Sequence, residues 1–169
     1  MEVFIERINV SDAEDLYQFE LENRDFFERS VPSRGDDYYK PEIFKARHKK
    51  LIEEQTQKGS RFYLIKNETG SILGRINLVM DESHSIGDLG YRVGQIHTGK
   101  GIVTQALKLL LEDLIDLEIK QVNAQTTTNN IASRRILEKN GFEYVGNDED
   151  YFEMNGQMLQ FVYYAWTNN

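Results

Sequence analysis

A chain of 169 residues, 40% hydrophobic and 28% charged, is long enough to bury a sizeable core in one domain, residues 1–169. Its formal charge of −8 weighs against a nucleic-acid backbone as partner, and no apolar run is long enough to span a membrane. Cysteine is absent, so there are no disulfides and no thiol nucleophile; no secretory leader is read, and a cytoplasmic location fits.

From Glu2 to Asn9 apolar residues alternate, as in a strand. Ser11 and Glu14 have capping-box spacing, which predicts a helix from Asp12 to about Asn23. Phe26 to Tyr39 reads as irregular, with Pro32 and Gly35 in it, and Pro41 in a first turn starts a helix that ends near Gly59. Arg61 to Lys66 and Ser71 to Met80 form a hairpin around Asn67–Gly70, and Ile86 to Val93 is a further strand. Apolar positions 103, 106, 107, 110, 111, 114 and 117 line one face of a helix from Ile102 to Glu118. A strand from Gln121, a helix from Ile131 to Lys139 and a strand from Phe142 to Val145 follow. Asn155 and Gly156 then turn a hairpin between Asp150–Met154 and Met158–Trp166. The order predicts an α/β (α+β) fold: a mixed, largely antiparallel central sheet flanked by helices.

Where Val93 runs into the long helix, glycines stand at 94, 99 and 101. Bare amides and the positive end of a helix dipole meet there, which suits a phosphate. Gly94 to Lys100 fits most of a nucleotide triphosphatase loop, but Gly101 stands where Ser or Thr would hold magnesium. A purely structural glycine loop is the bland alternative. Thr98, Gly99, Lys100, Gly101, Ile102 and Val103 otherwise resemble the pyrophosphate loop of GNAT N-acetyltransferases, with Thr98 and Val103 departing from the usual residues at its two ends.

A second segment favours that resemblance. Asn130-x-x-Ser133, followed by a helix and Asn140-Gly141-Phe142, is similar to the Asn-x-x-Ser/Ala…Lys-x-Gly-Phe signature of GNAT enzymes at the same distance from the loop. Many of those enzymes carry a general-acid tyrosine seven residues after the asparagine; here that residue is Leu137. The combination resembles the RimJ/RimL branch, which acetylates N-termini of ribosomal proteins and also includes enzymes acting on small amines.

The resemblance implies acetyl-CoA as cosubstrate, bound through Thr98 to Thr104, with Lys100 adding charge and Asn130 holding the pantetheine amide. Gly90 to Val93 would splay from the neighbouring strand, exposing Tyr91 and Val93 to the pantetheine arm. Ser133 would face the sulfur and supply a proton. Asp88, on the strand before the loop where related enzymes often have Glu, is the candidate base, although it could instead pair with Arg92 or face solvent. Asn130 and Ser133 also fit a plain helix cap. His84 and His97 are weaker candidates, and no spacing suggests a metal. Phe26–Tyr39 and Asp150–Asn155 flank the expected cleft, and their acids (Asp36, Asp37, Glu149, Asp150) suit an amine, as does the acidic balance of the whole chain. The implied acceptor is a primary amine, the N-terminus of a ribosomal protein first. A small-molecule amine is the alternative, and a CoA-binding sensor without turnover a more distant one. The protein would be a monomer or homodimer.

Overall fold

The computed structural model describes residues 1–169. A seven-stranded sheet runs in the order β1-β2-β3-β4-β5-β9-β6. Its strands are β1 (Val3–Arg7), β2 (Arg61–Asn67), β3 (Ile72–Met80), β4 (Ile86–Val93), β5 (Gln121–Thr127), β6 (Glu143–Asn147) and β9 (Phe161–Thr167). β7 (Phe152–Met154) and β8 (Gln157–Leu159) form a separate hairpin. Every neighbouring pair in the main sheet is antiparallel except β4 and β5. This is the mixed, largely antiparallel sheet that the order of elements predicts.

Helices α1 (Ala13–Glu22), α2 (Arg24–Glu28) and α3 (Pro41–Lys58) precede the hairpin, and α4 (Ile102–Ile115) and α5 (Ile131–Lys139) follow the phosphate-type loop. One apolar core of 22 buried residues lies under α4 and α5, and includes Leu107, Leu110, Leu137 and Tyr164. A second, of nine, gathers Leu16, Phe19, Phe44 and Leu64 under α1 and α3. The two layers pack on opposite faces of the sheet, and β2 is buried on both, with Tyr63 and Ile65 in the first core and Phe62 and Leu64 in the second.

Several boundaries differ from the sequence reading, each for a visible reason. The capping box sits two residues earlier: Asp12 accepts the Asn9 amide at 2.9 Å and Asn9 accepts the Ser11 amide at 2.9 Å. The chain turns straight out of β1, so Asn9, a strong capping residue, takes the position. The stretch read as irregular contains α2 and a 3-10 turn at Asp36–Tyr39. Helix α4 stops at Ile115, where the Asn168 side-chain amide donates to the carbonyls of Leu114, Ile115 and Ile119. The strand read from Met158 to Trp166 breaks at Gln160, whose side chain donates to the Asp148 carbonyl at 2.8 Å while its own carbonyl accepts from Thr128.

Candidate active site

The ladder between β4 and β5 runs from Ile86↔Gln121 to Leu89↔Ala124 and stops. Beyond it β4 stays paired with β3 as far as Val93, and β5 stays paired with β9 as far as Thr127. The two strands therefore part at Gly90, and the edge from Gly90 to Val93 has no ladder partner on its β5 side. This is the splay expected at Gly90–Val93. A Cβ added to Gly90 would meet nothing within 4 Å, so open space lies over the point of separation.

At the wide end of the opening sits the glycine loop. Gly99 and Gly101 have φ of +72° and +74°, left-handed values at which a side chain is strained, and a Cβ on either would meet no protein atom within 4 Å. Gly101 is the N-cap of α4 and offers no side-chain cap, so the amides of Ile102, Val103 and Thr104 face outward unanswered by any side chain. Thr98 and Lys100 are exposed beside them. The loop is fixed from behind: the buried Asn23 accepts the Gln95 amide at 2.9 Å and donates to the Phe19 carbonyl at 2.9 Å. Burial, with the Lys100 charge next, holds the His97 imidazolium below its ordinary pKa. The result is a rigid, positively polarised receptor for an anion.

The wall facing β4 is the first turn of α5. Asn130 caps this helix by accepting the Ser133 amide at 3.1 Å. Ser133 Oγ lies 2.6 Å from the Tyr91 phenol oxygen, which β4 alternation directs to the α5 side of the sheet. Burial pushes the Tyr91 phenol up to about 12, against the opposing pull of the Ser133 hydrogen bond. Leu137, in the slot of the absent tyrosine, is wholly buried in the core and supplies no polar group. The phenol of this site comes from β4 instead.

Asp88 lies on the opposite face of β4 from Tyr91 and is exposed. It borders a cleft of about 580 Å³ together with Asn123, Gln125 and Tyr163. It does not pair with Arg92, which goes to Glu20 at 3.4 Å and lies 4.6 Å over the Phe27 ring. Candidate acid and candidate base thus stand on opposite faces of the sheet, near the same opening.

The two flanking segments do meet: the Asn155 side-chain amide donates to the Arg29 carbonyl, tying the β7–β8 hairpin to the chain after α2. Their acids do not turn inward. Asp36 pairs with Arg24 and Asp37 with Lys40 at the outer surface. The residue that turns in is Arg34, one of three arginines on Glu20. The Glu20 carboxylate is 0% exposed, with Arg75 at 2.7 Å, Arg34 at 3.3 Å and Arg92 at 3.4 Å. Burial alone would push Glu20 up; Arg75, Arg92 and Arg34 together more than reverse that and hold it below its ordinary value. Sequence reasoning missed this cluster and the Tyr91–Ser133 contact. A signal for the first existed: Glu20 falls on the same α1 stripe as Leu16 and Phe19, where a lone charge demands partners.

A splayed β4–β5 pair between two helix N-termini defines the class, an N-acetyltransferase fold. The chain belongs to the GNAT acetyltransferases: the family model described as the acetyltransferase (GNAT) domain matches residues 2–143. It is 31% identical over 161 residues to the [ribosomal protein uS5]-alanine N-acetyltransferase of Escherichia coli (strain K12), covering 92% of this chain and 82% of that one. It is 29% identical to the probable N-acetyltransferase YjcK of Bacillus subtilis (strain 168), over 91% of this chain and 87% of the relative. The fold matches the ribosomal-protein-S5-alanine acetyltransferase of Vibrio fischeri with a TM-score of 0.90 at 20% identity, covering 100% and 94% of the two chains. It also matches the ribosomal L7/L12 α-N-protein acetyltransferase RimL in complex with coenzyme A, with a TM-score of 0.86 at 19% identity over 98% and 93%.

Proposed function

We propose that this N-acetyltransferase uses acetyl-CoA and acetylates a primary amine, the N-terminal α-amine of a ribosomal protein first among the candidates. The observation that carries the cosubstrate is the opening at Gly90 set against the uncapped start of α4. Its supports are the open space at Gly90, Gly99 and Gly101, and the outward amides of Ile102 to Thr104. The acceptor rests on the relative named for ribosomal protein uS5.

In this reading Thr98 to Thr104 hold the pyrophosphate, with Lys100 at the rim. The unpaired edge of Tyr91 and Val93 and the Asn130 side chain hold the pantetheine arm. Acetyl-CoA supplies an activated acetyl thioester. Ser133 provides a proton to the departing sulfur. Tyr91, whose phenol keeps its proton and is the stronger acid of the pair, donates to Ser133 Oγ and leaves the serine proton free to point at the sulfur. Asp88, facing the cleft from the other side, takes the amine proton, directly or through a water.

Calorimetric titration tests the cosubstrate. Coenzyme A should bind without magnesium, and ATP should bind weakly; tight magnesium-dependent ATP binding would overturn the reading. Acetyl transfer to a peptide with a free N-terminus, lost when that N-terminus is blocked, tests the acceptor. Faster transfer to polyamines or aminoglycosides than to any such peptide would assign the enzyme to small amines instead.

A further inference from the structure

On the face of the sheet covered by α1 and α3, a cavity of about 310 Å³ lies among Arg34, Arg47, Lys50 and Arg75. No acidic residue lines it. Glu20, outside the lining, engages Nη1 of Arg75 and Nη1 of Arg34, but the Nε of Arg75 is left without a partner on a residue only 5% exposed. A second lining residue, His48, is 3% exposed. Its Nε2 contacts the Asn9 carbonyl at 2.8 Å, which only accepts, so Nε2 carries the proton there; Nδ1 has no partner. The third such atom is Asn77 Oδ1, an acceptor without a donor.

Leaving a buried polar atom without a partner is costly, and three of them lining one cavity mark it as a candidate binding site. Their chemistry is divided. Arg75 Nε–H is a cationic donor with Arg34, Arg47 and Lys50 around it, and fits a carboxylate or phosphate. Asn77 Oδ1 asks for an N–H.

The division is spatial as well. Asn77 is the cross-strand partner of Gly90, the first residue past the β4–β5 ladder, and Arg75 is the partner of Arg92. The Asn77 end of the cavity therefore adjoins the open space over Gly90, one strand spacing away, roughly 5 Å. Residues two apart on a strand share a face and lie about 7 Å apart, which sets the distance between the two ends.

We propose that the acceptor bears a carboxylate or phosphate within about 7 Å of its amine, the amine on Asn77 beside Gly90 and the anion in the Arg75 cavity. This rests on the acetyl-transfer reading and narrows its acceptor to anionic amines, a peptide with an acidic residue in its first two positions or a free acidic amino acid. Overall negative charge points the other way, but the acceptor meets the local field, in which Arg34, Arg47, Lys50 and Arg75 outnumber the single carboxylate of Glu20.

The test has an equilibrium arm and a turnover arm. Calorimetry without acetyl-CoA compares Ala-Glu amide, Ala-Gln amide, Ala-Lys amide, free glutamate and O-phosphoserine; transfer of acetyl to the same amines is then measured. Ala-Glu amide should bind and react roughly tenfold better than Ala-Lys amide. An Arg47→Gln, Lys50→Gln double variant, altered only at exposed positions, should shrink that preference severalfold. A better response to glutamate or O-phosphoserine than to Ala-Glu amide supports the cavity and identifies a small acid as its source. Equal or weaker binding of the acidic compounds, or a preference unchanged in the double variant, overturns the proposal. Failure to acetylate any amine would defeat the acetyl-transfer reading instead, and the equilibrium arm would still decide the anion.

Discussion

The phenol of Tyr91 and the hydroxyl of Ser133 lie 2.6 Å apart, joining β4 to the first turn of α5 across the mouth of the strand separation. With Leu137 buried in the core, this pair is the hydroxyl chemistry at that wall of the opening. Two groups that pass one proton act as a unit, so their removal is not additive. Ser133→Ala and Tyr91→Phe should each lower kcat by about tenfold to a hundredfold, with little change in the acetyl-CoA KM. The double variant should be no slower than the worse single one. Multiplicative losses would mean that the two groups act separately.

Tyr91 also gives a direct spectroscopic readout. Its phenol is raised to about 12 by burial, so it stays neutral through the range in which exposed tyrosines ionise. Because the folded value lies above the ordinary 10.0, its contribution to stability is complete below that value and is lost as pH rises toward 12. Tyr39 and Tyr163 are raised as well, so a titration of phenolate absorbance should show a late fraction that Tyr91→Phe reduces by one phenol.

Glu20 ties the stability of the fold to pH on the acid side. Its carboxyl is held below the ordinary 4.5 by three arginines that outweigh its burial. A depressed carboxylate stabilises above the unfolded value and loses that contribution as pH falls through the folded one. Melting temperature should therefore drop on acidification below about pH 4.5, and Glu20→Gln should flatten that drop. Removing the carboxylate leaves the buried Arg75 uncompensated and should cost about 3–5 kcal/mol in denaturant unfolding.

At the loop, Gly101→Ala separates strain from ligand space. The backbone there is left-handed, so alanine costs about 1 kcal/mol of stability, while its Cβ meets no protein atom. On the proposed pyrophosphate site, coenzyme A binding should weaken by more than that conformational cost, because the methyl would enter the open space beside the loop. A loss of stability with coenzyme A affinity intact would leave Gly101 a turn residue only.

The fold was legible because its signals were local: the α4 stripe, the Asn155–Gly156 turn and the glycine loop all fell where their chemistry demands. The parting of β4 and β5 was foreseen from Gly90 and a family resemblance; the point where the ladder ends depends on pairing across strands more than 30 residues apart. Arg34, Arg75 and Arg92 converge on Glu20 from three separate elements, and no spacing along the chain announces it. Asp36 and Asp37 misled for the complementary reason. Their charges were visible, but the partners Arg24 and Lys40 that turn them outward were not.

If acetyl transfer runs as proposed, the acceptor's own pKa governs the choice of amine. Asp88, the proposed acceptor of the amine proton, is an exposed carboxylate on the cleft side of β4. Near pH 7.5 a lysine side chain, with an ordinary pKa of about 10.4, costs about 4 kcal/mol to deprotonate, whereas an α-amine at about 7.7–8.0 costs under 1. An amine that is already partly neutral needs the least help in losing its proton. Peptides with free N-termini should therefore be acetylated faster than N-terminally blocked, lysine-containing peptides, and the rate should rise as pH passes the acceptor's own pKa. Asp88→Asn removes the proton acceptor, so the variant should lose most activity near neutrality and recover as pH rises, giving a steeper profile. Lysine acetylation outpacing that of every free α-amine would require a stronger base than Asp88, and a variant profile parallel to the wild type would remove Asp88 from the proton path altogether.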